Sequence, residues 1–331
     1  MNGAHTSISA TATSATTTSA TTTSATALTI GIRPPHGLFE GGAVALRSGI
    51  AAIEASGIDR VCVGDHVSFH GGRGFDGLVQ STALAALSDL EVQTAVYLLP
   101  LRHPVPVARQ VNSLSQIAPG RFVFGVGVGG EDPAEVWLCG VDPKTRGRRM
   151  DESLTIVRAL LAGETVSFDG EFFQIDEGCV LPAPPVAIPI VVGGRSAAAL
   201  RRAGRLGDGW LALWTTPERF VDAVAEVESH ASDAGRGEVS WRHGLQVWCG
   251  FGADKDTARA PLAKAMEALY KVPFEKFERY SPYGTPADVA AELLPFVQAG
   301  CRDINVIAAA ASPEAATEAV AETRRLLIAN Q

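Results

Sequence analysis

Two glycines, an arginine and a serine follow a short apolar segment near the middle of the chain. The segment spans residues 188–192, and Gly193, Gly194, Arg195 and Ser196 come directly after it. Glycines let backbone N–H groups approach an anion closely, and the arginine adds positive charge. Ser196 can cap the helix that follows, which would point a helix N-terminus at the same place. This order of residues predicts a phosphate-binding site, and a tight strand-to-helix turn without a ligand is the alternative.

A second group that could do chemistry is the pair Asp65 and His66, which follows another apolar segment. A histidine at the end of a strand can act as a general acid or base, or donate a hydrogen bond. A local cap or a packing pair is the alternative interpretation. Glu131 is a further candidate acid because it follows a glycine-rich segment, although Glu131, Asp132 and Pro133 also fit the start of a turn or helix.

The histidines and cysteines do not predict a metal site. His66 and His70 are four residues apart, but the glycines and serine around them favour a loop over a helix, so zinc is not expected there. The five cysteines form no CxxC pair and no cluster with histidine. Unpaired cysteines in and beside apolar segments indicate a reducing compartment.

These candidates must be positioned by strands, because each follows a strand-length apolar segment. Eight such segments alternate with helical patterns, at residues 28–33, 60–64, 92–99, 122–128, 188–192, 209–213, 244–251 and 303–307. The alternation predicts an α/β protein, a (β/α)8 TIM barrel with insertions after strand four and before strand eight. A doubly wound open sheet is the alternative, but the chain has no dinucleotide-binding fingerprint. In a barrel the active site lies at the carboxyl ends of the strands, where all the candidates fall.

Composition limits the class of protein and its partners. The 331 residues are 46% hydrophobic and 19% charged, which is typical of a water-soluble globular protein. A formal net charge of −8 argues against a nucleic acid or an anionic membrane as partner. Residues 1–27 are rich in Thr, Ser and Ala and are expected to form a disordered tail, with the barrel domain at residues 28–331. Because no apolar run has the length needed to span a bilayer, we expect no membrane partner and a cytoplasmic location.

Several segments, in this order, resemble the luciferase-like monooxygenase superfamily and in particular its flavin- and coenzyme F420-dependent oxidoreductases. They are GDHV at residues 64–67, LPLRHP at 99–104, GRFVFGVGVG at 120–129, RGRRMDE at 146–152, IVVGGRS at 190–196 and GDGW at 207–210. The resemblance runs from about Leu28 to the C-terminus. Each segment alone is weak, whereas their order and spacing are specific to the superfamily.

The resemblance implies a barrel, usually homodimeric, that holds a flat flavin or deazaflavin ring at its mouth. Asp65 and His66 match the acidic residue and histidine of the family, where the histidine serves as acid/base or hydrogen-bond partner beside the ring. A non-proline cis peptide that supports the ring would fall near Val96 and Tyr97. The segments that contact the ring and phosphate match Gly127, Gly129, Gly130, Gly193, Gly194, Arg195 and Ser196.

The activity that the resemblance implies is hydride transfer between coenzyme F420 and a small organic substrate. Glu131 would be the proton donor, although it comes one residue later than in the sugar-phosphate dehydrogenase pattern. F420 carries an anionic tail beyond its phosphate, and Arg146, Arg148 and Arg149 could screen that tail. FMN is the alternative cofactor, with reduced FMN and oxygen giving a monooxygenase of the same fold. A non-catalytic flavin-binding protein is the third possibility.

Overall fold

Strands and helices alternate along the chain. The computed structural model describes residues 27–35, 37–129 and 132–330. Its strands are β1 (Thr29–Ile32), β2 (Arg60–Val63), β3 (Glu91–Thr94), β4 (Tyr97–Leu98), β5 (Phe122–Gly127), β6 (Val166–Asp169), β7 (Gln174–Gly178), β8 (Ile190–Gly193), β9 (Gly209–Leu213), β10 (Gly244–Phe251), β11 (Tyr283–Gly284) and β12 (Asp303–Ala309). Its helices are α1 (Gly37–Glu40), α2 (Gly42–Ala55), α3 (Gly77–Leu87), α4 (Pro104–Ile117), α5 (Pro133–Leu138), α6 (Arg146–Leu161), α7 (Ala197–Leu206), α8 (Pro217–Asp233), α9 (Lys255–Tyr270), α10 (Pro286–Gln298) and α11 (Pro313–Ala329).

Eight parallel strands close into a barrel. Their order around the ring is β1, β2, β3, β5, β8, β9, β10 and β12, and β12 pairs with β1 to complete it. The register places Ile30 opposite Ile304 at this closure, and Leu211 opposite Gly244 between β9 and β10. The predicted (β/α)8 barrel is therefore confirmed, and the open doubly wound sheet is wrong because the ring has no edge.

The core lies between the barrel wall and the surrounding helices. On β1, Ile30 and Ile32 are fully buried against this layer, while Gly31 between them faces the barrel interior, where it abuts Arg60 and Asn305. This alternation follows from the two-residue period of a strand. One face of helix α6 covers the wall, since Met150, Leu154 and Val157 are fully buried.

The third predicted strand is interrupted, which corrects the continuous strand expected over residues 92–99. It consists of β3 and β4, and the cis peptide bond expected near Val96 and Tyr97 lies one position earlier, between Ala95 and Val96. Both halves pair with β5, β3 at Val92 and β4 at Tyr97. The bend between them brings Val96 towards the barrel interior, where it packs with Cys62 and Val191.

The two predicted insertions are present. The first lies between β5 and β8 and contains α5, α6 and the antiparallel hairpin of β6 and β7. The second lies between β10 and β12 and contains α9, two short 3₁₀ helices (Phe274–Lys276 and Glu278–Tyr280) and β11, followed by α10. Helix α9 ends at Tyr270, where Lys271 adopts a left-handed conformation. Both insertions lie on the carboxyl-end side of the barrel, beside the expected site.

The amino-end face of the barrel is filled by a buried charged cluster. Arg60 is fully buried and bonds to Glu91, to Asp303 and, through Nη1 at 2.9 Å, to Gln93. Arg242 bonds to the same two carboxylates, at 2.8 Å to each. Such pairing lets charged groups occupy a barrel interior, which is otherwise costly. The closed lower end leaves the carboxyl-end opening, called the mouth below, as the place for a ligand.

Two further expectations concern the N-terminal tail and a membrane partner. Almost all of the predicted tail, residues 1–26, lies outside the described residues. Among the described helices, none combines the length and the hydropathy that crossing a lipid bilayer requires.

Candidate active site

The barrel brings most of the predicted site residues to the mouth. Gly127 ends β5, Gly193 ends β8, and His66 follows β2. In the ring, β3 separates β2 from β5, and β3 and β5 separate β2 from β8, so the histidine and the two glycines lie at the same, carboxyl end of the barrel. Gly130 and Glu131 lie outside the described residues.

His66 is held by a carboxylate that sequence reasoning missed. Its Nδ1 donates to Oε2 of Glu135 at 3.1 Å, and its ring stacks on Phe69 with centroids 4.1 Å apart. The other oxygen of Glu135 accepts from the backbone N–H groups of Val67 at 2.6 Å and Ser68 at 3.0 Å. The histidine side chain keeps 25% exposure, whereas the carboxylate keeps 4%. One buried acid therefore fixes both the ring and the loop that carries it.

Glu135 stays ionised because its partners outweigh its burial. Burial raises the pKa of this carboxyl, but the hydrogen bonds from His66, Ser68 and Val67 hold the pKa below the usual value. A carboxylate on Nδ1 selects the neutral tautomer in which Nδ1 carries the proton and Nε2 is an acceptor. Among the described residues Nε2 has no hydrogen-bond partner, so it can exchange a proton with a ligand in the mouth.

Short helix α5 places Glu135. Asp132 is its N-cap and accepts from the N–H of Ala134 at 3.0 Å, and Pro133 occupies the first position. The same carboxylate accepts from the backbone N–H of His70 at 2.8 Å. The sequence held a signal for this helix, because an Asp-Pro pair is typical of a helix start and puts Glu135 in the first turn. It held no signal that this turn meets His66.

Asp65 does not pair with His66, and its carboxylate is used inside the wall. It is 1% exposed, forms a two-pronged ion pair with Arg102, and accepts from the N–H groups of Gly77 and Leu98, each at 2.9 Å. All its acceptor capacity is thereby engaged. The carboxylate of Asp65 thus joins the ends of β2 and β4 to α3, and the catalytic role expected from the sequence stays a prediction.

The glycines of β5 and β8 make room for Val96. A methyl group at Gly127 would lie 2.5 Å from Cγ2 of Val96, and one at Gly193 would lie 2.9 Å from Cγ1. Glycine at both positions therefore lets Val96 pack closely against β5 and β8. We call Gly127, Gly193 and Val96 the glycine side below. Gly129, with a φ of +66°, turns the chain away from it.

Tyr97 points away from the glycine side. It is 1% exposed, packs against Phe124 with ring centroids 5.6 Å apart, and carries the guanidinium of Arg102 4.4 Å above its ring. Of the pair expected to support the ring, only Val96 faces the mouth. The alternation of side chains along a strand explains the difference.

The predicted phosphate site forms the N-terminus of α7. Ser196 is the N-cap, its Oγ accepting from the N–H of Ala199 at 3.2 Å. Gly194 has a φ of +130°, and its carbonyl accepts from Nε1 of Trp210 at 2.7 Å. Arg195 is exposed and lies over the ring of Trp214 at 4.9 Å. A helix N-terminus and an arginine that has no ion pair among the described residues together suit an anion.

The arginine cluster at the start of α6 is largely occupied. Arg148 forms an exposed ion pair with Glu171 at 2.9 Å. Arg149 lies over the rings of Phe172 and Phe173 at 5.1 and 5.0 Å. Arg146 donates through Nε to the carbonyl of Pro143 at 2.8 Å, and its buried Nη1 has no partner in the described part of the chain. The cluster is therefore not three free cations, and Arg146 keeps a buried donor that no described residue accepts from.

The part of the mouth beside β9 and β10 is aromatic. Trp214 follows β9, packs on Phe277 at 4.8 Å and meets Tyr270 edge-on at 5.1 Å. Trp248 of β10 donates through Nε1 to the hydroxyl of Tyr270 at 3.0 Å. We call Trp214, Trp248, Tyr270 and Phe277 the aromatic side. Phe172 and Phe173 lie outside this group, against Arg149.

The described residues contain no group of three or more His, Cys, Asp or Glu that could hold a metal ion. The Nδ1 atom of His70 lies 3.6 Å from the carboxylate of Asp132. His70 therefore contacts this acid and does not lie beside His66. The polar groups of the mouth suit an organic ligand with an anionic end.

Known proteins are similar to parts of this sequence. An uncharacterised protein of Mycobacterium tuberculosis is 39% identical over 159 residues, 48% of this chain and 54% of that protein. An F420-dependent glucose-6-phosphate dehydrogenase of Microbacterium testaceum is 30% identical over 234 residues, 66% of this chain and 69% of that enzyme. The chain thus spans between about half and two thirds of the length of these relatives.

Solved structures share the fold. An F420-dependent secondary alcohol dehydrogenase, in complex with an F420–acetone adduct, superposes with a TM-score of 0.79 at 20% identity, covering 91% of this chain and 99% of that one. Residues 43–330 match the family model of the luciferase-like monooxygenases. With the barrel, its glycine side and its mouth histidine in place, this chain belongs to the luciferase-like monooxygenase family.

Proposed function

We propose that this protein is an oxidoreductase that transfers a hydride between coenzyme F420 and a small organic substrate. The observation that carries the proposal is the arrangement of the mouth, where the His66–Glu135 pair and the glycine side of Gly127 and Gly193 lie at the same end of the barrel. The sequence similarity to F420-dependent dehydrogenases supports the cofactor. The same proposal includes a homodimer in the cytoplasm, for which size-exclusion chromatography with light scattering is the measurement of assembly.

The residues of the mouth fit such a cofactor. In this proposal the flat tricyclic ring lies against the glycine side, and the N-terminus of α7 with Arg195 suits its phosphate. Arg146, with its unused buried donor, would contact the anionic tail. When bound, F420 supplies the hydride acceptor or donor at its ring.

In this proposal His66 moves the proton that accompanies the hydride. With Nδ1 bonded to Glu135, the free Nε2 takes the proton from a substrate hydroxyl as the carbon loses its hydride, and returns it to the carbonyl oxygen in the reverse direction. Glu135 stabilises the imidazolium that forms, as a buried carboxylate does for a catalytic histidine. Phe69, stacked on the ring, keeps the imidazole in one orientation.

Asp65 and Arg102 support the histidine from behind. Their ion pair joins the ends of β2 and β4, so it fixes where the loop of His66 leaves the barrel. A charge-assisted pair with two parallel bonds has a defined geometry, which suits a positioning role.

The test is a titration of the purified protein with F420 and with FMN at several salt concentrations. The proposal expects tighter binding of F420, weaker at high salt because the phosphate and tail contacts are exposed, and hydride exchange without oxygen consumption. Tighter binding of FMN, or turnover that needs oxygen and a flavin reductase, would instead establish the two-component monooxygenase. A protein that binds either cofactor and neither oxidises nor reduces it with any alcohol or carbonyl compound would be a non-catalytic flavin-binding protein.

A further inference from the structure

One cation in the mouth has no role in the site described so far. Arg33 follows β1, and its backbone N–H donates to the carbonyl of Val306 at 2.9 Å, which keeps the strand register one residue beyond β1. Gly31, two positions earlier, faces the barrel interior. Since side chains two apart share a face, Arg33 also points inward.

Gly64 makes room for this guanidinium. A methyl group at Gly64 would lie 2.7 Å from Nη2 of Arg33 and 3.2 Å from Cζ. Gly64 directly precedes Asp65 and His66, so the guanidinium lies at the base of the loop that carries the histidine. The positive charge of Arg33 acts inside the barrel. Burial raises the pKa of the Cys62 thiol to about 12, and the charge of Arg33 partly offsets that rise.

The side chain of Arg33 has no hydrogen bond or ion pair with any described residue. The two nearby acids are engaged elsewhere, Asp65 with Arg102 and Glu135 with His66. The side chain is only half-exposed. A partly buried cation without a counter-charge is unfavourable unless a ligand supplies one.

The position of Arg33 relative to the aromatic side indicates what kind of ligand that is. In the ring of strands, β1 lies between β2 and β12, and β12 pairs with β10, which carries Trp248. Trp248 is level with Ile307 in that pairing and packs with it. The guanidinium therefore lies between His66 and an apolar, aromatic surface, opposite the glycine side.

Two arginines beside the aromatic side have partners of their own. Arg259 bonds to Glu275 and Glu278, and Arg279 lies over the ring of its neighbour Tyr280 at 4.4 Å. Arg33 is, by contrast, a half-buried cation whose side chain has no described counter-charge. One cation beside an apolar wall suits a ligand with one anionic group and an apolar body.

We propose that Arg33 binds the anionic group of the substrate, and that the substrate is an organic acid whose apolar body packs against the aromatic side. This inference rests on the proposed function for the location of the cofactor on the glycine side. It adds a substrate class and a substrate-binding residue, whatever the direction of hydride transfer.

The experiment compares a carboxylate with its neutral isostere. We would measure the binding of 4-phenylbutyrate and 4-phenylbutyramide to the full chain, with and without saturating F420, by calorimetry. The unchanged protein is expected to prefer the carboxylate. Arg33→Met, which keeps the length and removes the charge, should weaken carboxylate binding about 10- to 100-fold, the usual effect of a hydrogen bond to a charged group. Binding of the amide should change little, and Arg33→Lys should restore part of the preference.

Arg47→Met is the matched control, because Arg47 is exposed on α2 and its loss changes the net charge equally. It should leave both affinities unchanged. No preference for the carboxylate in the unchanged protein, or the same loss with Arg47→Met, would overturn the proposal. An equal loss of F420 affinity in Arg33→Met would place the guanidinium against the cofactor and would also overturn it. Failure to bind F420 at all, with the carboxylate preference intact, would contradict the proposed function alone.

Discussion

At the scale of single residues, the mouth depends on which acid meets which base. The chain places Asp65 next to His66, but the fold gives Asp65 to Arg102 and gives His66 to Glu135, sixty-nine residues further on. Both acids are buried, so each needs a partner that satisfies its charge. The pairing leaves one imidazole nitrogen available to a ligand and none of the oxygens of Asp65.

Replacing His66 with alanine should separate its chemical role from a structural one. We expect His66→Ala to lower turnover about 10²- to 10⁴-fold, the usual contribution of a general acid/base, while the dissociation constant of the cofactor hardly changes. Steady-state kinetics and a fluorescence titration of F420 provide the two measurements. His70→Asn on the same loop is the control, since asparagine tolerates the positive φ of 39° there. Loss of turnover and of cofactor affinity to the same extent would mean that His66 is structural.

The ionised state of Glu135 predicts a pH dependence of stability. Because its pKa in the folded protein is lowered by His66, Ser68 and Val67 against the effect of burial, its contribution is present above the unfolded value of about 4.3 and is lost as the pH falls through the lower folded value. Glu135→Gln should therefore unfold about 1–2 kcal/mol more easily than the unchanged protein at pH 7. The difference should shrink as the pH falls below the unfolded value of about 4.3. Denaturant unfolding of both proteins from pH 7 to pH 3 measures it, and a difference that stays constant over this range would contradict the assignment.

At the scale of secondary-structure elements, the mouth is built by short pieces at the strand ends. Helix α5 spans six residues and presents one acid to the histidine. Helix α7 presents its N-terminus, and the bend between β3 and β4 presents Val96 to the glycines of β5 and β8. Because these pieces are anchored to a closed barrel, small changes in them should alter ligand binding more than folding.

Gly127 should be sensitive to a single methyl group. In Gly127→Ala the new methyl would lie 2.5 Å from Cγ2 of Val96, so Val96 must move. Overpacking of this kind costs about 1–3 kcal/mol, and we expect cofactor affinity to fall about tenfold. Gly237→Ala is the matched control, because a methyl there meets nothing within 4 Å. Fluorescence titration with F420 measures both, and unchanged affinity in Gly127→Ala would remove the glycine side from the cofactor site.

Arg195 should act on the phosphate alone. We expect Arg195→Ala to weaken binding of the whole cofactor about tenfold while hardly affecting a dephosphorylated ring fragment, because its charge-assisted contact is with the phosphate. The two ligands are compared by titration of the same preparations. Since Arg195 also lies over Trp214 at 4.9 Å, a loss that is equal for both ligands would mean that it only supports the aromatic side.

At the scale of the whole molecule, the two ends of the barrel carry different groups of residues. The amino end is filled by Arg60, Arg242, Glu91 and Asp303, which are paired with one another. Burial raises the pKa of Asp303, but Arg60 and Arg242 outweigh it and hold that pKa below the usual value. The carboxyl end carries the glycine side, the aromatic side, the histidine and Arg33, whose side chain has no ion pair among the described residues. Stability is thus concentrated at one end and binding at the other.

Removing one acid from the amino-end cluster should be costly. In Asp303→Asn the buried Arg60 keeps only Glu91 as counter-charge, and we expect a loss of about 3–5 kcal/mol in the free energy of unfolding. Glu171→Gln is the control, because it breaks the exposed pair with Arg148 and should cost at most about 1 kcal/mol. Urea unfolding of the three proteins decides the comparison. Equal small losses would mean that the cluster contributes little to stability.

The sequence by itself determined the elements and their order. Strand-length apolar segments, glycine turns and helix caps are local signals, so the eight barrel strands, the helix after Ser196 and both insertions could be predicted from neighbouring residues. The positions of His66, Gly127 and Gly193 at the mouth followed once the barrel was recognised, because parallel strands share one carboxyl end.

Only the tertiary structure decided which side chains meet. Glu135 on His66, Arg102 on Asp65 and Arg33 above Gly64 join segments of the chain that no local pattern relates. These contacts depend on how the closed ring and the insertions place the strand ends. They also depend on burial, because a buried charge is costly unless it is paired. For the same reason Tyr97, which the sequence placed beside the ring, turned into the core when the strand bent at Val96.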